Sequence, residues 1–591
     1  MQLALIGNCS IAGLVDECGR LNWLCLPRLD GEPVFHGLVG HGPGDAHDGA
    51  FTFELLDQKE ASQRYEANTA VLRTRLDGAN GSVEITDFVP RFSALGRIFR
   101  PQMVVRTIRP VSGSPRIKVR VRPRFDWGAQ APHIARGTSH LRYNGPDFAV
   151  RLTTDAPIDY VLEEQAFNLD REYHFILGAD ESLTEAPQEV ASRFLRETQS
   201  YWLAWSRRLA IPLEWQDAVI RSAITLKLCS YEPTGAIVAA ITTSLPEAPD
   251  SGRNWDYRYC WVRDAFFTVR ALNSLAATQT MENYFGWLMN VVSDAAGGHI
   301  QPVLGVGLER ALTERTASAL QGYRGMGPVR VGNQAHEHFQ HDTYGNVILG
   351  AAPAFFDQRL YMNAGKEAFA LLELLGEQAW QLHDQPDAGI WELRTRARIH
   401  TSSSVMCWAA CDRLAKIAAR LGINDRAAAW GARAVQIRET ILKRAWSDKR
   451  NAYVESFEGK TLDASVLLMS EVGMISGSDP RFQSTVHALS ATLGRGALML
   501  RYEEADDFGE PAVGFNVCAF WRLDALSRIG RKEEAREFFT DLLSYRNKLG
   551  LMTEDTDFAT GEGWGNFPQT YSMVGIINGA MRLSEPWETA L

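Results

Sequence analysis

The chain has 591 residues, 45% hydrophobic, 10% aromatic and 22% charged, with a formal net charge of −10 and a pI near 5.8. That balance argues against a dedicated nucleic-acid binder or a basic membrane-surface protein, whose affinity rests on clustered positive charge. The aromatic content excludes a disordered chain, and no apolar run approaches the roughly 18 residues of a membrane span. At about 150 residues per domain the length suggests about four domains, but barrels that use roughly 250 or more residues as one unit reduce the expectation to two.

The N-terminus has no basic segment, and Gly7, Asn8 and Ser10 break its short apolar stretch. This predicts no cleaved secretory signal and a cytoplasmic protein. Eight cysteines, at 9, 18, 25, 229, 260, 407, 411 and 518, form no CxxC pair, so reduced core thiols are expected. From Phe51 to about residue 180 the pattern alternates. Arg116 to Arg122 places Ile117, Val119 and Val121 on one face and basic residues on the other, as in a half-buried strand. Val71–Leu76 and Val83–Phe88 flank a loop over Asp77–Gly81, predicting a hairpin. Phe148–Leu152 and Tyr173–Leu177 repeat the strand signature.

After about residue 187 the period becomes helical. Gln188–Leu209 reads as a joining helix. Trp430, Ala434, Ile437, Ile441 and Ala445 mark one face of a later helix, with Asn424-Asp425 as its expected N-cap. Further helices are expected to start near Trp215, Asp264, Asn283, Thr343, Ser404, Asp463, Phe515, Lys532 and Ser572. Helical hairpins with long loops suggest a barrel whose loops carry function. The expected organisation is therefore a β-sandwich over 1–185, a linker helix over 186–212 and a helical barrel over 213–591.

Four loop segments concentrate Trp, Tyr, Arg and carboxylates: Arg253–Asp264, Gly322–Asn333, Gly389–Glu392 and Thr553–Gln569. Aromatic planes beside planar charged groups suit sugars, whose C–H faces pack on rings while their hydroxyls pair with Arg, Asp and Asn. Glycoside hydrolysis needs one protonated and one ionised carboxyl flanking the scissile bond. Glu392 follows Trp391, whose ring is expected to exclude water and favour an acid. Glu554 lies in a polar loop with Asp555 and Asp557, a setting for a base.

The chain resembles glycoside hydrolase family 15, the glucoamylase-like family that includes glucodextranases and prokaryotic trehalases. The resemblance runs from Ile6–Cys9 and Leu21–Arg28 through the four segments, with Arg253–Ala265 and Gly565–Ser572 the most specific stretches. It implies an antiparallel β-sandwich (supersandwich) joined to a six-hairpin (α/α) barrel. It also implies inverting hydrolysis of α-glucosides, with Glu392 as acid and Glu554 as base. Arg263 and Asp264 match the motif that grips the non-reducing glucose. Trp261, Trp391 and Trp564 are expected as apolar walls and Arg324 as a further substrate contact. The two carboxyls should lie about 6.5–9.5 Å apart to admit water. Tyr323 and Met326 replace the family's more usual His and Ser, and Ser402-Ser403-Ser404 lacks its common lysine. These departures bear on the pocket around the leaving group.

His336, His338 and His341 suggest zinc, but HExxH spacing fails because Gln stands at 340. Neither metal nor organic cofactor is expected, and Gly322, Gly325 and Gly327 read as a loop rather than a dinucleotide fingerprint. The main expectation is an exo-acting α-glucosidase on short malto- or isomalto-oligosaccharides, with a trehalase as the alternative. An inverting phosphorylase and a non-catalytic sugar-binding protein are the rivals from other classes. The partner expected is a small sugar, not nucleic acid or membrane, and homo-oligomerisation is left open.

Overall fold

The computed structural model describes residues 1–42, 48–295, 297–361 and 364–590. Two antiparallel sheets, of seven and eight strands, occupy the chain up to Ala179. The hairpin expected around residue 80 is present: Leu72–Gly78 pairs with Gly81–Phe88, with Asp77 opposite Ser82. Arg116–Val121 is a strand that buries Ile117, Val119 and Val121, and Arg120 on its other face pairs with Glu54 and Glu164.

The first strands lacked a period-2 signal for a physical reason. Leu3–Gly7, Ala12–Asp16 and Leu21–Leu26 are buried on both faces. Ala4, Ile6, Val15 and Leu24 enter the sandwich core, while Leu3, Leu5, Leu14 and Trp23 pack into the core of the helical region. Strands covered on both sides read as continuous apolar runs. The Trp23 indole reinforces this junction by donating to the Ile241 carbonyl at 2.7 Å. Within the sandwich, the Arg106 guanidinium pairs with Asp87 at 2.7 Å, both wholly buried, and donates to the Phe51 carbonyl at 2.6 Å.

The helix Pro187–Ser206 follows the sheets. Beyond it, six inner helical segments touch in a closed ring: Val262–Ser274, Asp342–Ala351, Thr401–Arg420, Ala464–Glu471, Asn516–Arg528 and Thr570–Leu583. Six others lie outside them: Gln216–Leu228, Thr278–Ala295, Lys366–Leu382, Asn424–Arg444, Pro480–Leu493 and Lys532–Ser544. Sequence tracks this division, because a helix packed on all sides must be apolar all round. Every residue from Thr401 to Cys411 is buried, whereas Asn424–Arg444 buries only Trp430, Ala434, Ile437 and Ile441.

Three local expectations need correction. Asn424 and Asp425 lie inside their helix, whose N-cap is Ile423 without a side-chain bond, because the Ile423 amide closes the preceding helix onto Ala418. The helices Lys366–Leu382 and Pro480–Leu493 were not anticipated. The second carries a legible start signal, since Asp479 caps the amides of Arg481 and Phe482 ahead of Pro480. Among the described residues no helix is long and apolar enough to cross a membrane.

Candidate active site

A cleft enclosing about 960 Å³ of space open to solvent lies at the N-terminal ends of the inner helices. Arg263 and Asp264 begin the first of these, and Asp342 the second. Glu392 precedes the third, Asp463 the fourth, Val517 lies in the first turn of the fifth and Tyr571 in that of the last. The cleft therefore faces converging positive helix ends, which favour carboxylates and electron-rich oxygens.

Glu392 opens onto the cleft, its side chain about one quarter exposed. It has φ +61°, a backbone conformation that costs a non-glycine residue of order 1 kcal/mol and clusters at functional sites. Its Oε1 accepts from the Trp261 indole at 2.7 Å and from Arg263 at 3.4 Å. Trp391 lines the cleft but does not shelter Glu392 in the expected way. Its indole donates to Asp463 at 2.7 Å, and its ring packs against Tyr502, Phe515 and Trp521.

Glu554 is wholly buried. The Tyr257 hydroxyl donates to its Oε1 at 2.6 Å, and the Asn566 amide to its Oε2 at 3.2 Å. Gly565, at φ +77°, covers it so closely that a Cβ there would lie 2.6 Å from the carboxyl. Burial, then the like charge of Glu247, raises Glu554 above the usual carboxylate range, while Tyr257, Arg501 and the Asn566 amide oppose that shift. Glu247 itself lines the cleft, accepting from Arg501 at 2.6 Å and from the Trp255 indole at 3.0 Å. The rings of Tyr257 and Trp261 lie 5.4 Å apart. One short segment thus delivers a hydroxyl to Glu554 and an indole N–H to Glu392.

Arg263 is fixed by Gln340 at 3.1 Å and Asp342 at 3.4 Å. Burial pushes Asp264 up to about 6, against the pull of Arg263. Buried polar atoms of Gln340, Asp342 and Tyr571 in this neighbourhood lack a partner among the described residues.

The structure thus brings Trp261, Arg263, Asp264, Trp391 and Glu392 to the cleft. Arg324, Trp564 and the expected base Glu554 do not line it; the Glu554 carboxyl lies one hydrogen bond behind Tyr257, which does. Arg324, at φ +53°, stacks over Tyr323 and Trp564 and pairs with Glu562 at 2.8 Å, so its charge is used outside the cleft. Tyr323 and Met326 also lie outside the cleft lining. Ser403 and Ser404 bond Asp387 and the His383 carbonyl, which makes their role one of helix packing. His336 bonds the Asn333 carbonyl from a short 3-10 turn. Among the described residues no three metal-ligating side chains cluster.

Sequence reasoning missed Tyr257, Glu247 and Arg501. Tyr257 sits inside the motif that located Arg263 and could have been found by its four-residue spacing from Trp261. Glu247 and Arg501 are 254 positions apart, and no local pattern connects them.

The helical region matches the model of Glycosyl hydrolases family 15 over residues 215–581. Residues 1–168 match the model described as Trehalase-like, N-terminal. Trehalase from Mycolicibacterium smegmatis is 32% identical, covering 99% of this chain and 91% of that protein. Trehalase from Thermoplasma acidophilum is 30% identical, covering 97% and 98%. The structure of a bacterial glucoamylase complexed with acarbose superposes with a TM-score of 0.72 at 12% identity, over 98% of this chain and 93% of that one. The last likeness shows a shared fold. The protein is a glycoside hydrolase built from a β-sandwich and an (α/α) barrel, acting on a small sugar. Within that class, the chain belongs to glycosyl hydrolases family 15.

Proposed function

We propose that this enzyme is an inverting trehalase, cleaving the α,α-linkage between two glucose units. The observation that carries the reading is that the six curated relatives, matched over 97–99% of this chain, all bear the name trehalase. They favour trehalose over the malto- and isomalto-oligosaccharides expected from sequence. In this reading one glucose enters the inner end of the cleft, where Arg263 and Asp264 hold its hydroxyls. Glu392 gives its proton to the glycosidic oxygen as the C–O bond breaks. Glu554 takes a proton from a water molecule whose oxygen attacks the anomeric carbon from the opposite face. The released units are one β-glucose, made by inversion, and one α-glucose, the leaving group.

Positioning by the Arg263 cluster lowers the barrier by holding the reactants in register. A catalytic base stored in a buried site needs donors that stabilise its ionised form, and Tyr257 and the Asn566 amide supply them. The test is a proton NMR time course with trehalose, maltose and isomaltose, each with and without phosphate. Early signals of β- and α-glucose in equal amounts from trehalose alone, independent of phosphate, are expected. Glucose 1-phosphate as a product would identify a phosphorylase. Turnover of maltose with trehalose untouched would return the enzyme to the oligosaccharide glucosidases.

A further inference from the structure

The outer end of the cleft is edged by a short strap, Tyr502–Gly509, which differs from the other walls in how it is held. Its tip is a tight turn. The Asp506 amide donates to the Gly509 carbonyl at 3.1 Å, and the reverse bond is 3.3 Å. Gly509 adopts φ +97° there, a conformation open to glycine at little cost. The turn presents Asp506, Asp507 and Phe508 to the cleft.

Both flanks of the strap are tethered. On one side Arg253 grips Asp506 with two bonds of 2.6 Å, and Phe508 packs on Trp255 with ring centres 5.1 Å apart. On the other side the tethers all come from the segment after Glu392. The Arg394 amide donates to Asp507 at 2.7 Å, the Thr395 hydroxyl bonds the same carboxyl, and Glu504 pairs with Arg398 at 2.7 Å and Arg396 at 3.2 Å. The two anchors meet, because the Arg394 guanidinium stacks over the Trp255 ring 4.4 Å from its centre, so the strap is fixed as one edge of the cleft. Arg263, Asp264 and Tyr571 mark the inner end of the cleft, so the strap lies where the leaving group sits.

We propose that this strap sets substrate length. It closes the cleft over the ring that leaves, so that the site takes a disaccharide and rejects a third sugar on that side. The proposal rests on the glycosidase reading above and deepens it. The strap's charged groups and Phe508 supply a polar edge and an apolar face for one ring.

The test compares trehalose with the trisaccharide in which one of its rings carries an α-1,4-linked glucose; the unextended ring can still enter the inner end. Maltose and maltotriose form a parallel pair, so that a failure of the trehalase reading leaves the length comparison intact. In the wild type kcat/KM is expected to favour the disaccharide at least ~10-fold, the scale on which a pocket discriminates a poorly fitting group. Phe508→Ala opens the tip, and Glu504→Gln releases one tether without touching the cleft. Each should raise kcat/KM for the trisaccharide several-fold and shrink the ratio, with disaccharide kcat unchanged in Glu504→Gln. Circular dichroism confirms that both variants fold. A wild type indifferent to length overturns the proposal, and so do folded variants whose disaccharide-to-trisaccharide ratio stays at the wild-type value.

Discussion

Replacing Tyr257 by Phe removes one oxygen atom and isolates one interaction. The hydroxyl donates to Glu554 at 2.6 Å, while the ring, 5.4 Å from that of Trp261, is retained. A hydrogen bond to an ionised group contributes about 1.5–3 kcal/mol, which at about 1.4 kcal/mol per pH unit corresponds to roughly 1–2 units. The bond stabilises the ionised carboxylate, so its loss raises Glu554 further. The base then becomes ionised only at higher pH. The acid limb of the kcat/KM profile, which reports the free enzyme, should move up by about 1–2 units. On that limb the rate at fixed pH falls about 10–100-fold, while the plateau at higher pH stays within a few-fold of wild type. Initial rates of glucose release from trehalose across the pH range provide the assay. An acid limb that stays put or moves down, or a uniform loss at every pH, would refute the assignment of Tyr257 as the donor that keeps the base ionised.

Glu392→Gln and Glu554→Gln should each lower kcat at least ~100-fold with the fold intact, on the usual scale of acid–base catalysis; near-wild-type rates in either folded variant would remove it from the mechanism. Glu247→Gln takes away the like charge that helps to raise Glu554, so its acid limb should shift to lower pH with substantial activity kept. A loss as deep as that of Glu554→Gln would instead make Glu247 the base. Glu232 sits buried between Arg91 and Lys227, 2.6 Å from each. Glu232→Gln leaves two buried cations without their shared partner and should cost about 3–5 kcal/mol in denaturant melts. Burial alone would raise the Glu232 carboxyl, but Lys227 and Arg91 outweigh it and hold it down at about 2. Its contribution is therefore complete above the ordinary value near 4.5 and lost as pH falls towards 2. The stability gap between wild type and variant should narrow over that window, and a gap constant with pH would contradict the role of the pair.

Much of this organisation is legible in the sequence because it is written in local periodicity. The alternation of Arg116–Val121 and the spacing of Trp430, Ala434, Ile437 and Ile441 each report one buried face, and the structure buries those residues. The strand Leu3–Gly7 escapes such reading because its two faces serve two different cores. Glu392, Arg263 and Asp264 could be picked out because they lie in short, chemically dense motifs. The strained turn at Glu392 and the contact between Tyr257 and Glu554, 297 positions apart, depend on how the barrel closes. Arg324 and Trp564 show the converse: each sits in a motif, yet their side chains stack on each other away from the cleft. Sequence by itself determined which segments carry chemistry and which faces are buried, since these follow from residue type and spacing along one chain. Only the tertiary structure decided which charges share one low-dielectric site, because a buried carboxyl takes its protonation and its reach from neighbours that the ring of helices brings in from distant positions.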